Sequence, residues 1–164
     1  MSLEVYSRKR DFSRTREPAP RAPGQRSGRC VFVVQLHHAS RRHYDLRLEV
    51  DGLLRSWAVP KGPSFDPAVK RMAVEVEDHP LDYVDFEGEI PSGEYGAGQV
   101  AIFDRGTWST DGDPVEQLAE GHLRFELAGD RLRGGWHLVR TGRPGRKSRW
   151  LLFKDEDRYA GAVE

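Results

Sequence analysis

The chain has 164 residues, with 26 basic and 26 acidic side chains, so its formal net charge is zero. That length makes one domain, or one domain with a tail, and is enough to bury a core without staples. The single cysteine, Cys30, excludes an internal disulfide framework and a thiolate zinc site. No apolar run approaches the roughly 18 residues of a membrane-spanning helix, and Met1-Ser2-Leu3-Glu4 has no apolar stretch of signal-peptide type, so the expected address is cytoplasmic, with no membrane association.

Residues 1–29 read as a basic arm. Arg8, Lys9, Arg10, Arg14, Arg16, Arg21, Arg26 and Arg29 face only Glu4, Asp11 and Glu17. Pro18, Pro20 and Pro23 argue against regular structure there, while Tyr6 and Phe12 offer apolar contacts to the body. Residues 30–164 read as one β-domain. Cys30 opens the apolar run Val31–Leu36 and is expected to be a buried strand cysteine. Tyr44, Leu46, Leu48 and Val50 alternate with polar residues, Asp51-Gly52 marks a hairpin turn, and Leu53–Val59 returns.

Further along, Pro67–Arg71 invites at most a turn of helix. Met72, Val74 and Val76 alternate with acids. Pro91–Gly98 is glycine-rich but lacks the Lys-Ser/Thr ending and the following helix of a phosphate-cradling loop, so tight turns are expected. Gln99–Phe103 is expected to reach a turn at Arg105-Gly106. Pro114–Glu120 suits a short helix with Pro114 at its first position. Leu123–Leu127, Leu132–Val139 and Trp150–Phe153 complete a set of short strands. Their close spacing predicts a mainly β fold: a compact barrel of about eight strands with a few short helices.

The chemistry concentrates in residues 37–49. Side chains alternate across a strand with period two, so His43, Asp45, Arg47 and Glu49 share one face and Tyr44, Leu46, Leu48 and Val50 the other. His43 and Asp45 emerge about 6–7 Å apart and can reach one ion. A third ligand from His37 or His38, just before the loop Ala39–Arg42, would complete a sulfur-free site for Mn²⁺, Fe²⁺ or Zn²⁺ with positions open to water and substrate. Arg47 continues that face with a planar fork suited to phosphate or carboxylate. The same residues also read as a surface hydrogen-bonded ladder.

Glu75, Glu77 and His79 are expected to share a face, with Pro80 ending the strand. Residues 131–154 carry Arg131, Arg133, Arg140, Arg143, Arg146, Lys147, Arg149 and Lys154 without an acid, interleaved with Trp136 and Trp150. This stripe and the arm are candidates for contact with a nucleic-acid backbone. His122 and His137 read as ordinary strand residues.

Together, Phe32–His37, Arg42–Glu49, Trp57–Pro63, Glu77–Tyr83, Phe86-Glu87-Gly88, Pro91–Gly98 and Trp150–Lys154 resemble the 3′-phosphoesterase domain of bacterial DNA ligase D and its freestanding relatives. The similarity runs from Lys9-Arg10-Asp11-Phe12 onward. It implies a β-barrel enzyme that heals DNA 3′ ends during non-homologous end joining. Such an enzyme removes a terminal 3′ ribonucleoside to leave a 3′-phosphate, then removes the phosphate. Manganese is the implied cofactor, with Co²⁺ or Zn²⁺ as alternatives.

Carried over by residue, the resemblance implies a metal triad of His37, His43 and Asp45. Arg47 and His79 would grip phosphate from opposite sides of the barrel, with Tyr83 nearby. Lys61, Arg71, Gln35 and Glu77 would support them, and the arm acids Asp11 and Glu17 would serve the ribonucleoside step. Leu36 departs from the family, where many members have lysine. Implied partners are primer-template 3′ ends, with a ligase or polymerase and end-joining proteins, for a protein expected to be monomeric. Neither a ligase nor a polymerase module is present, as in the freestanding form or an excised domain. Two other readings remain: a non-haem Fe(II) oxygenase-type barrel, which uses the same donor set, and a non-catalytic DNA-end binding module.

Overall fold

The structure is a computed structural model of the chain and describes residues 2–20, 30–143 and 147–161. Nine strands form one antiparallel sheet: β1 (Val31–His38), β2 (Arg42–Val50), β3 (Leu53–Val59), β4 (Arg71–Pro80), β5 (Gly88–Ile90), β6 (Gly98–Ser109), β7 (His122–Gly129), β8 (Arg133–Thr141) and β9 (Arg149–Lys154). The order β1-β2-β3-β4-β9-β8-β7-β6 closes through a β1–β6 pairing into an eight-stranded barrel, and β5 adds to β6 as a ninth strand. The predicted mainly β barrel with short helices is therefore what the chain forms. No helix among the described residues is long and apolar enough to cross a membrane.

The β2–β3 hairpin turns at Asp51 and Gly52, both at positive φ (53° and 79°), the geometry an Asp-Gly pair supplies for a two-residue turn. The short helix α2 (Pro114–Glu120) forms where expected. The Asp113 side chain accepts from Val115 N, and Gly121 ends the helix at φ 88°.

Inside the barrel, Phe32, Val34, Leu46, Leu48, Val50, Trp57, Leu123, Phe125, Trp136, Leu138, Trp150 and Leu152 make one apolar cluster. Trp57 and Trp150 meet edge to face at 5.9 Å. A second, smaller cluster lies on the outer face of β1, β3 and β6. There Val33, Leu54 and Val100 are covered by Tyr6 of α1 (Glu4–Arg8), by Ile90, and by Leu81, Tyr83 and Val84 of a 3₁₀ segment, Leu81–Asp85.

Several expectations are corrected. The arm contains the helical turn α1, because its prolines begin only at Pro18. Arg21, Pro23, Arg26 and Arg29 lie outside the described residues. Cys30 is exposed and precedes β1 instead of lying in it. Arg105-Gly106 is not a turn, since β6 runs unbroken to Ser109. Gly106 is needed because a β-carbon there would strike the Ala128 carbonyl on β7. In β4 it is Ala73 that faces the interior, paired with Trp150, while Met72 is 46% exposed.

The basic stripe is also divided. Trp136, Trp150 and Lys154 are buried, and the Lys154 ammonium donates to Gly135 O and Asp157 Oδ1. Arg140 caps the carbonyls of Leu118 and Ala119. Arg131, Arg133, Arg143, Lys147 and Arg149 remain exposed, and Arg146 lies outside the described residues.

Candidate functional site

The alternation in β2 continues across its neighbours. Registers place His37 opposite His43, Gln35 opposite Asp45, and Arg47 opposite Ser56, with Val76 of β4 next in line. Cross-strand partners share a face, so these side chains all project from the outside of the barrel. A bulge sets Glu77 and Asp78 against Arg55. It returns His79 to that outer face, opposite Leu54.

Two expectations change as a result. His79 does not reach Arg47 from across the barrel but from two strands away on one surface. Glu75 does not share a face with Glu77 and His79. It pairs with interior-facing Trp57 and accepts from Trp150 Nε1 at 3.0 Å and from Arg55 at 2.7 Å.

His37, His43 and Asp45 offer ligand atoms that all lie within 4.8 Å of one another. His43 Nε2 is 3.3 Å and His37 Nδ1 3.7 Å from Asp45 Oδ2. The other nitrogen of each ring is already used: His37 Nε2 donates to Gly96 O at 2.6 Å, and His43 Nδ1 donates to Arg41 O at 3.0 Å. A backbone carbonyl on the far nitrogen sets the tautomer and aims the free lone pair, as in metal-bound histidines. Both lone pairs therefore face the Asp45 carboxylate. His38 is exposed at the strand end and does not join them.

Burial opposes ionisation of Asp45, but Arg47 and the two histidines outweigh it and hold the carboxyl well below the usual carboxylate range. His43 is raised by its contact with Asp45. Two imidazoles and one ionised carboxylate, without sulfur, fit a divalent ion such as Mn²⁺, Co²⁺ or Zn²⁺.

Arg47 is held on every side. Its Nε donates to Gln35 Oε1 at 2.7 Å, its other nitrogens lie 3.5 Å from Asp45 Oδ2 and 3.3 Å from His79 Nδ1, and the guanidinium lies 4.8 Å from the Tyr83 ring centre. Gln35 is fixed in turn by donating to the carbonyls of Tyr83 and Phe86. His79 Nδ1 donates to Glu77 O at 2.9 Å, leaving Nε2 as an acceptor 3.3 Å from Arg10. Burial, then Arg47 and Arg10, push its pKa well below the ordinary histidine value, so the ring is neutral.

The arm supplies the rest. Arg10 bridges Glu17 (2.9 Å) and Glu77 (3.2 Å), and Glu17 accepts from the Tyr83 hydroxyl at 2.7 Å. Lys9 reaches Glu77 at 3.2 Å and the Tyr95 hydroxyl at 3.2 Å. A cleft of about 310 Å³ is lined by Arg10, His37, His43, Asp45, Arg47, Glu77, His79, Tyr83, Tyr95 and Gly96.

The structure thus brings together His37, His43, Asp45, Arg47, His79, Tyr83, Glu77, Gln35 and Glu17. Asp11 is exposed and binds Ser13. Lys61 is exposed, and its carbonyl accepts from Arg71 at 3.0 Å; neither lines the cleft. Sequence reasoning placed Arg10 only in a basic arm for nucleic-acid contact and assigned nothing to Tyr95 or the Gly96 carbonyl, because the contacts of Arg10 with Glu77 and His79 span 67 and 69 residues.

Comparison with known proteins bears directly on this cleft. Residues 35–140 match the family model described as the DNA Ligase D 3′-phosphoesterase domain. The chain belongs to that family. It is 57% identical over 163 residues to the multifunctional non-homologous end joining protein LigD of Pseudomonas aeruginosa, covering 99% of this chain and 19% of that protein. It is 48% identical over 155 residues to LigD of Mycobacterium tuberculosis strain H37Rv, covering 93% and 19%, and 41% identical over 161 residues to LigD of Mycolicibacterium smegmatis, covering 94% and 21%. The chain therefore spans about a fifth of the length of these relatives.

Proposed function

We propose that the chain is a metal-dependent phosphoesterase that heals DNA 3′ ends in non-homologous end joining. It removes a terminal 3′ ribonucleoside, then the 3′-phosphate that remains. The observation carrying this reading is the pair of imidazoles whose far nitrogens are tied to backbone carbonyls, so that both free lone pairs meet Asp45 beside Arg47. Family membership favours phosphoester chemistry over the oxygenase that would use the same donor set.

His37, His43 and Asp45 would hold the ion, with Mn²⁺ as the cofactor. When bound, the metal supplies Lewis acidity toward a phosphoryl oxygen and a more acidic water. Arg47 presents its guanidinium to the same phosphoryl group and stabilises the charge that develops there. Gln35 and Tyr83 keep that fork from rotating. Neutral His79 stands between Arg47 and Arg10, and an entering phosphate supplies the negative charge that favours its protonated form. His79 can then donate from Nε2 to a phosphoryl oxygen or a leaving oxygen. Glu17 and Glu77 hold Arg10 over the cleft and so couple the arm to the reaction. Lys61, Arg71 and Asp11 would support the site from outside the cleft lining. A ligase or polymerase would use the resulting 3′-hydroxyl, and a monomer in the cytoplasm suffices for this role.

The test is a labelled primer–template ending in one 3′ ribonucleotide, incubated with Mn²⁺ or with chelator. Shortening to a 3′-phosphate and then to a 3′-hydroxyl, lost with chelator and in Asp45→Ala, is the expected result. No metal-dependent change at the 3′ end would refute the reading. Intact DNA-end binding without turnover would favour a binding module. Turnover of an oxo-acid with anaerobically loaded Fe²⁺, on admitting air, would favour an oxygenase.

A further inference from the structure

Among the described residues, three large apolar side chains are exposed: Met72, Tyr95 and Val115. Of these, Tyr95 alone lines the cleft, with Arg10, His37 and Arg47. It is 47% exposed. A single exposed apolar residue needs no explanation, but a flat ring set among cations beside a phosphate-binding cleft has a specific chemistry.

The ring is held in place. Its loop folds as two successive turns, with Glu94 N donating to Pro91 O and Ala97 N to Glu94 O, both at 3.1 Å. The carbonyl of the next residue, Gly96, is the one that accepts from His37 Nε2, so the loop is joined to the metal triad. Gly96 has φ 75°, and a β-carbon there would lie 3.4 Å from the His37 ring. From the arm, Arg14 reaches Glu94 at 3.5 Å. Lys9 donates to the Tyr95 hydroxyl at 3.2 Å and lies 4.6 Å from the ring centre, and the Arg10 guanidinium lies 5.3 Å from that centre.

These neighbours restrict what the open part of the ring can take. Two adjacent cations disfavour a positively charged occupant and favour one that carries phosphate. A nucleobase joined to a phosphate meets that requirement. Its flat face stacks on an aromatic side chain, and every base has such a face, so the contact is indifferent to sequence. At a 3′ end the last base has no neighbour on its 3′ side, which leaves one face uncovered.

We infer that Tyr95 is the stacking platform for the nucleobase of the terminal 3′ ribonucleoside, the unit on the 3′ side of the phosphoryl group held by the metal triad and Arg47. This rests on the reading of the cleft as a 3′-end phosphoesterase. The ring places the leaving nucleoside and gives the site a preference for an end that carries a base, whichever base it is. Lys9, through the hydroxyl, holds the ring in position.

The test compares two primer–templates on the full chain with Mn²⁺. One ends in an intact 3′ ribonucleotide, and the other ends in a ribose that lacks its base. Tyr95→Ala and Tyr95→Leu are expected to lower kcat/KM on the base-bearing end about 5- to 150-fold more than on the baseless end, the scale of one lost base–aromatic stack, chiefly through KM. Tyr95→Phe keeps the ring without the hydroxyl contact and should stay within about twofold of the wild type. Tyr95→Leu keeps apolar bulk and serves as the test even if Tyr95→Ala does not fold. Binding is read separately in chelator, at saturation judged by anisotropy, with 2-aminopurine as the terminal base. Its fluorescence should be quenched by the wild type and by Tyr95→Phe, but not by Tyr95→Leu. Equal losses on the two ends, Tyr95→Phe as weak as Tyr95→Leu, or quenching that survives Tyr95→Leu would each overturn the assignment. The two readings fail separately. Metal-dependent turnover with equal losses removes the platform and keeps the phosphoesterase, whereas ring-dependent quenching without turnover removes the phosphoesterase and keeps the platform.

Discussion

The two faces of β2 are buried to nearly the same extent and by opposite means. Inside the barrel, Leu46, Leu48 and Val50 are 2%, 0% and 2% exposed; on the outside, Asp45, Arg47 and Glu49 are 5%, 4% and 8% exposed. The inner face removes apolar area from water, which stabilises the fold by about 25 cal/mol per Å². The outer face strips water from ions, a cost of several kcal/mol per charge before pairing. The second face is tolerated because its charges are shared out: Asp45 with Arg47 and the two histidines, Arg10 with Glu17 and Glu77. One face of the strand is therefore built for stability, and the other for holding charge where a reaction can use it.

Four measurements can break or sharpen that contrast. Arg47→Ala should cut phosphoesterase turnover by about 10²–10³-fold, the scale for losing one donor to developing charge, while Mn²⁺ affinity stays near wild type. A joint loss of metal binding would mean that the outer face acts as one structural unit. Leu48→Ala should lower stability by about 2–5 kcal/mol and leave turnover per folded molecule unchanged. A selective loss of activity there would show that the faces are coupled.

The third concerns pH. The unfolded chain protonates His79 near pH 6.5, but the folded chain resists this because the ring is buried between Arg47 and Arg10. Between those two pKa values the unfolded state binds more protons, so His79 adds stability above about pH 6.5 that is lost as pH falls. His43 has the opposite sign: its raised folded pKa adds stability at low pH that is lost as pH rises through that value. Melting temperatures of metal-free wild type and His79→Asn, compared from pH 7.5 to 5, isolate the His79 contribution. The wild-type value relative to the variant should fall toward acid, and a constant difference would mean that His79 titrates alike in the folded and unfolded chain. The smallest effect is expected from His38→Ala. His38 is exposed at the end of β1, so activity should stay within about twofold, while His37→Ala should lose it.

Much of this arrangement was legible in residues 31–59. Period-two alternation separates the core residues of β2 from its chemistry, and Asp51-Gly52 makes the hairpin, because both depend on neighbours in sequence. Alternation also brought His43, Asp45 and Arg47 onto one face. It left His37 and His38 as equal candidates, and the resemblance to a known family chose between them. Local signals failed where a distant strand intervened. Gly106 looked like a turn because the Ala128 carbonyl above it cannot be seen in the sequence. Trp136, Trp150 and Lys154 looked like a nucleic-acid stripe because their burial depends on strands that lie elsewhere in the chain.

The sequence by itself determined a closed β-barrel, its central hairpin and a polar strand face able to bind metal and phosphate, since each follows from short-range periodicity and turn chemistry. Only the tertiary structure decided what surrounds that face. The β1–β2 register sets His37 against His43, the β4 bulge returns His79 to the same surface, and the arm lays Arg10 and Glu17 across it. The first depends on strand register, and the contacts of the arm with His79 join segments up to 69 residues apart, which no periodicity along the chain specifies.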